Sequence, residues 1–120
     1  NDLIREIKNN NSKAGIVLHA KNNYTDLNKI IKRFSEVLVL CIEKPGLSGQ
    51  KFMKKSFDLI NEINKLPKRH KKNLCLDGGI SPDNVLKLNC DKIVSASQIV
   101  KSLNSKKQIL NMQNMLNEKK

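Results

Sequence analysis

Asp77 stands in the most chemically suggestive surroundings of this sequence. It ends a short aliphatic run, Asn73–Asp77, and is followed by Gly78, Gly79 and Ile80-Ser81-Pro82. A second glycine-bearing turn, Lys44-Pro45-Gly46-Leu47-Ser48-Gly49-Gln50, follows another such run, Val37–Ile42. A flexible turn between the carboxyl end of a parallel strand and a helix exposes backbone N–H groups, which with the helix dipole suit an anion such as phosphate. Each turn also has a plainer reading, because strand-to-helix loops use Gly for geometry whatever they bind. A polar residue at the carboxyl end of a barrel strand reads as catalytic. An Asp that caps its own turn is the competing reading of Asp77.

The elements that must hold these turns follow from hydrophobic patterning. Ala14–His19, Val37–Ile42, Asn73–Asp77 and Lys92–Ser95 are brief, mostly aliphatic and without polar alternation. They predict parallel strands covered on both faces. Between them lie Tyr24–Phe34, Gln50–Leu66 and Pro82–Leu88, read as helices. In the middle one, Phe52, Ser56, Leu59, Ile60, Ile63 and Leu66 recur mostly at helical spacing. Ser81 as a cap and Pro82 at the first helical position mark a helix start. Residues 1–9 predict the end of a further helix, and Gln98–Glu118 one long helix or two short ones. The expected order is α-β-α-β-α-β-α-β-α with right-handed crossovers. Four such strands make either an open sheet or half of a closed barrel. No repeat, linker or domain boundary interrupts residues 1–120.

Composition bounds the function classes. The 120 residues fit one small domain, about half of the ~250 residues of a typical (β/α)8 barrel. A start at Asn1 rather than Met points to a segment of a longer chain. The formal charge of +12 raises nucleic acid as a partner. Yet 20 of the 23 basic residues are Lys, set among 16 Asn, which fits A/T-rich codon bias on solvated faces. Only Arg5, Arg33 and Arg69 offer a planar fork, and aromatics are 3%, so nucleic-acid binding is not expected. No apolar stretch is long enough to span a bilayer, no secretory signal is visible, and no membrane association is expected. Cys41, Cys75 and Cys90 lack metal or disulfide spacing and sit in or beside apolar runs. They point to a reducing, cytoplasmic setting.

Three motifs together resemble the ribulose-phosphate 3-epimerase family. Pro45-Gly46-Leu47-Ser48-Gly49-Gln50-Lys51-Phe52, Leu76-Asp77-Gly78-Gly79-Ile80 and Ile93-Val94-Ser95-Ala96-Ser97-Gln98-Ile99 are similar to the family's PGFGGQ-x-F, VDGGI and VAGSAIF. Lys13–Leu18 resembles its fifth strand. The likeness runs the length of the chain and covers the C-terminal half of the family's barrel. It implies an α/β fold, a (β/α)8 TIM barrel of the ribulose-phosphate-binding type with only the C-terminal four βα units present. The activity implied is metal-dependent interconversion of D-ribulose 5-phosphate and D-xylulose 5-phosphate, an isomerase step of the pentose phosphate pathway. Asp77 would be one of two proton-transferring aspartates and a ligand of a divalent cation (Zn, Fe, Mn or Co). Gly46, Leu47, Ser48, Gly49, Gly78, Gly79, Ala96 and Ser97 would hold the substrate phosphate. A small-molecule sugar phosphate and a homo-oligomer are the partners expected.

Departures from the family pattern sit in the same loops. Ser48 and Ala96 replace glycines, and a non-Gly residue strains any backbone that needs positive φ, by ~1 kcal/mol or more. Lys44, Cys41 and His19 also stand where other residues are usual. The family's first aspartate, its metal-binding histidines and a serine come from strands that these 120 residues do not contain, so this piece alone is expected to be inactive. A related ketose-phosphate epimerase, or a degenerate, non-catalytic phosphate-binding barrel, is the alternative.

Overall fold

The computed structural model describes residues 2–118; residue 1 of the expected 1–9 helix lies outside them, as do residues 119–120. Four strands, β1 (Gly15–His19), β2 (Glu36–Leu40), β3 (Asn73–Asp77) and β4 (Lys92–Val94), form one sheet in chain order. Every adjacent pair is parallel. Helices α1 (Asp2–Asn9), α2 (Leu27–Ile31), α3 (Lys55–Asn64), α4 (Pro82–Val85), α5 (Ser97–Val100) and α6 (Ser105–Asn117) alternate with them. The result is an α/β fold whose strand order is compatible with successive βα units of a TIM barrel.

The strands bury alternate residues. Val37, Val39, Leu74 and Leu76 are at most 1% exposed. They pack against Ile31 of α2, Ile60 and Ile63 of α3, Val85 of α4 and Met112 and Leu116 of α6. The opposite face is open. Val17 is 58% and Val94 45% exposed there, with Leu38 and Cys75 half-buried between them. The expectation of strands covered on both faces is therefore corrected. Right-handed crossovers between strands that are neighbours in chain order lay every helix on the same side of the sheet. Covering the second side from within the chain would need a reversal of strand order.

Side-chain hydrogen bonds set the helix ends, which is where the patterning overreached. The Tyr24 hydroxyl donates to the His19 carbonyl and accepts from the His19 N–H. Helix α2 starts three residues later, where the Asp26 carboxylate accepts the Lys29 N–H at 2.9 Å. Residues 50–54 stay outside α3 because the Met53 N–H is drawn to the Cys41 carbonyl at 2.7 Å. The tail forms two helices. Ser102 and Ser105 hydroxyls donate to the Ile99 carbonyl, and Asn104 caps α6 by accepting the Lys107 N–H at 3.0 Å. An unforeseen 3-10 turn, Arg69–Lys71, places Arg69 so that its guanidinium reaches Asp91 at 2.9 Å. The same Asp91 oxygen accepts the Leu74 N–H at 2.7 Å, which aligns the start of β3 with that of β4.

Two outcomes are expected from this packing. An apolar sheet face without cover drives association, so the 120-residue chain should self-associate and bind a hydrophobic dye. Replacing Val17 and Leu38 by Ser should reduce both, read by sedimentation and dye fluorescence. The second concerns Cys41, whose burial pushes its thiol up to about 12. An unfolded thiol ionises at about 8.5, so between these values only the unfolded chain has lost that proton, and rising pH favours unfolding. Stability should fall by about 1.4 kcal/mol per pH unit in that window. Urea unfolding at a series of alkaline pH values should show that slope, and Cys41→Ala should reduce it to the contribution of Cys75, whose thiol burial also raises.

Candidate functional site

The pleat of β3 decides where Asp77 points. Leu74 and Leu76 face the helices and are fully buried; Asn73, Cys75 and Asp77 therefore share the open face. Asp77 is the last residue of the strand, in register with Leu40 of β2 and Val94 of β4. Its main chain is fixed by its carbonyl, which accepts the Cys41 N–H at 2.7 Å. Its carboxylate has no hydrogen-bond or ion-pair partner among the described residues, and it opens into a cleft.

That cleft, of about 250 Å³, is lined by all nine residues expected to form the site. Gly46, Leu47, Ser48 and Gly49 come from the loop after β2, Asp77, Gly78 and Gly79 from the end of β3, and Ala96 and Ser97 from the start of α5. Among the described residues, the backbone N–H groups of Gly46, Ser48, Gly49, Gly78, Gly79, Ala96 and Ser97 donate to no protein acceptor. Leu47 differs: its N–H points to the Lys44 carbonyl, at a long 3.4 Å. Unspent donors gathered from three loops around one cleft make a neutral host for an anion, which would supply the acceptors they lack.

The glycine replacements do not strain this host. Among the described residues, positive φ outside glycine occurs only at Asn11 and Lys68, so neither Ser48 nor Ala96 needs it. The glycine requirement is strictest at Gly79, since a Cβ on Gly78 (φ +105°) would meet only the Ile42 side chain. The φ of Gly79 is +68°, and a Cβ there would overlap the main chain of Phe52. The loop after β3 thus lies directly against the chain that leaves the loop after β2.

Several residues that hold the site carry no signal in their spacing. Asn84 of α4 donates to the Gly79 carbonyl at 2.8 Å and accepts the Ser81 N–H at 3.0 Å, fixing the turn after Gly78. The Ser95 hydroxyl donates to the Ile80 carbonyl at 3.0 Å, tying the end of β4 to that turn. The Gln50 side chain bonds three times to the loop it follows. The His19 ring contacts the Ile42 carbonyl at 2.7 Å; a carbonyl only accepts, so Nε2 carries the proton. Lys101 brings its Nζ to 3.7 Å from the position that a Cβ on Gly49 would occupy, adding positive charge at the rim of the loop.

A divalent cation fits these residues poorly. Asp77 offers one carboxylate, and no group of three or more His, Cys, Asp or Glu side chains gathers among the described residues. His19 spends Nε2 on Ile42. Further ligands would have to come from outside residues 2–118. No helix among the described residues is long and apolar enough to cross a membrane.

Comparison with known proteins locates this arrangement. The model of the ribulose-phosphate 3 epimerase family matches residues 1–100. A protein named ribulose-phosphate 3-epimerase from Helicobacter pylori is 30% identical over 118 residues, which cover 94% of this chain and 54% of that protein. One of the same name from Buchnera aphidicola is 30% identical over 106 residues, covering 84% of this chain and 46% of its own. A third, from Serratia marcescens, is 27% identical, covering 80% and 48%. The chain spans about half the length of the curated relatives it matches.

Gly79 and Gly46 provide a matched pair of tests. A Cβ on Gly46 meets nothing within 4 Å, so Gly46→Ala should cost only the left-handed strain of about 1 kcal/mol. Gly79→Ala adds the overlap with Phe52 and should cost at least ~3 kcal/mol. Urea unfolding of the two variants measures the difference.

Proposed function

Since the chain belongs to the ribulose-phosphate 3-epimerase family, we propose that it forms the C-terminal four βα units of a (β/α)8 barrel that interconverts D-ribulose 5-phosphate and D-xylulose 5-phosphate. The observation that carries this reading is the convergence of one unpaired carboxylate, Asp77, with seven unspent N–H donors on a single cleft.

The chemistry divides between the two parts of the cleft. The phosphate binds to the N–H groups of Gly46, Ser48, Gly49, Gly78, Gly79, Ala96 and Ser97, far enough from the reacting carbon that its binding energy serves to position the sugar. Asp77 then faces C3, beside the ketone. Its ionised carboxylate takes the C3 proton, the electron pair of the broken C–H bond passing into an enediolate; in the reverse sense the carboxylic acid returns the proton. Inversion needs a second acid–base group on the opposite face of the enediolate. The open face of the sheet, with Val17 and Val94 exposed and Leu38 and Cys75 half-buried, is where the remaining half of a barrel would close and bring that group opposite Asp77. The same closure would bring any further cation ligands to Asp77.

In the complete protein, Asp77→Asn keeps the shape of the side chain and removes the base. Turnover in a C3 epimerisation assay should fall by ~10²–10⁴-fold, with binding of the sugar phosphate retained. Ser97→Ala removes one hydroxyl beside a phosphate held by main-chain donors, so it should raise KM more than it lowers kcat. Near-native turnover of Asp77→Asn would overturn the assignment of Asp77 as the base.

A further inference from the structure

The loop after β2 presents three of the unspent donors, yet little holds it in shape. Residues 43–49 are all exposed, so no core packing fixes them. The bond from the Leu47 N–H to the Lys44 carbonyl is long, at 3.4 Å. Apart from the exposed Lys21–Glu43 ion pair at its start, 2.6 Å long, the short contacts come from one side chain. Gln50 Oε1 accepts the Lys44 N–H at 3.0 Å, and Nε2 donates to the Lys44 carbonyl and to the Leu47 carbonyl, each at 2.6 Å. The primary amide thus pairs with both main-chain groups of Lys44, as a neighbouring strand would, and has a second donor left for Leu47.

The bond to Leu47 has a directional consequence. No cis peptide occurs among the described residues, and in a trans peptide the C=O and the following N–H point in opposite directions. Turning the Leu47 carbonyl towards Gln50 therefore turns the Ser48 N–H away from it, leaving that N–H unspent on the lining of the cleft. We propose that Gln50, which also lines the cleft, is the positioning residue of the anion loop: its amide is spent on Lys44 and Leu47, and it aims the Ser48 N–H at the phosphate. This assignment rests on the phosphate-binding reading above. It requires a primary amide. Glu would set a carboxylate oxygen against two carbonyls, and Met would fill the space and make none of the three bonds.

The test uses the complete protein, with inorganic phosphate as competitive inhibitor and ribulose 5-phosphate as substrate. Gln50→Met should weaken phosphate inhibition and raise KM together, by roughly tenfold, the worth of one or two hydrogen bonds, while kcat changes by less than about twofold. Gln50→Glu should weaken both further. In the wild type the amide resonance of Ser48 should shift on titration with inorganic phosphate, and in Gln50→Met that shift should shrink. A wild type that inorganic phosphate does not inhibit would overturn the phosphate reading itself. Inhibition in the wild type with an unchanged constant and an unchanged Ser48 shift in Gln50→Met would leave that reading standing and overturn the role of Gln50. A loss confined to kcat would also overturn it. Should Gln50→Met fail to fold, Gln50→Asn keeps the amide and falls one methylene short. It should show the same rise in KM with kcat kept, and a wild-type KM in that variant would equally count against the assignment.

Discussion

The parity of one strand governs the molecule. Leu74 and Leu76 must enter the helix side of the sheet, because that is where this chain offers apolar partners, and successive side chains of a strand point to opposite faces. Asp77 is then committed to the other side. A shift of β3 by one residue would put two leucines on the open face and drive the carboxylate into the core, at a cost of several kcal/mol. Hydrophobic burial fixes the face, and parallel pairing with β2 and β4 fixes the height. The position of the carboxylate is thus a by-product of forces that have nothing to do with catalysis.

Main-chain bonds carry that order outward into the loops. The Cys41 N–H takes the Asp77 carbonyl, and the Cys41 carbonyl takes the Met53 N–H. One buried residue therefore links the strand end of the carboxylate to the far end of the loop after β2. Gly79 completes the arrangement by lying against Phe52, whose ring packs on Phe57 of α3 at a centroid distance of 5.0 Å. The two glycine-bearing loops brace each other, and neither has a geometry independent of its neighbour.

Much of this was legible in the sequence, and the exceptions share a cause. Aliphatic runs place all four strands to within two residues at either end, because burial in a parallel sheet demands them. Asp77 and the glycines of its loops stand out because their chemistry is intrinsic to the residue type. The helix ends and the supports of the site do not. Asp26, Gln50, Asn84, Ser95 and Asn104 act through hydrogen bonds to particular main-chain groups, and nothing in the spacing of polar residues says which carbonyl or N–H each will meet. The two-sided burial read from the strands was a misreading of a different kind. Val17, Leu38 and Cys75 are as apolar as residues under a helix, and residue type does not reveal whether the cover comes from the same segment of chain.

The proposed anion site, written in peptide units rather than side chains, has an unusual mutational target. Its recognition elements are torsion angles, so most single-base changes in the loops alter a side chain and leave the donors standing, as Ser48 and Ala96 illustrate. Information is concentrated instead at a few points: the Gly79 position, where added volume has no room, and the side chains that steer the main chain. Such a site tolerates drift in composition towards Lys and Asn over most of its length, and several of the side chains it cannot spare are ones that need never touch the ligand.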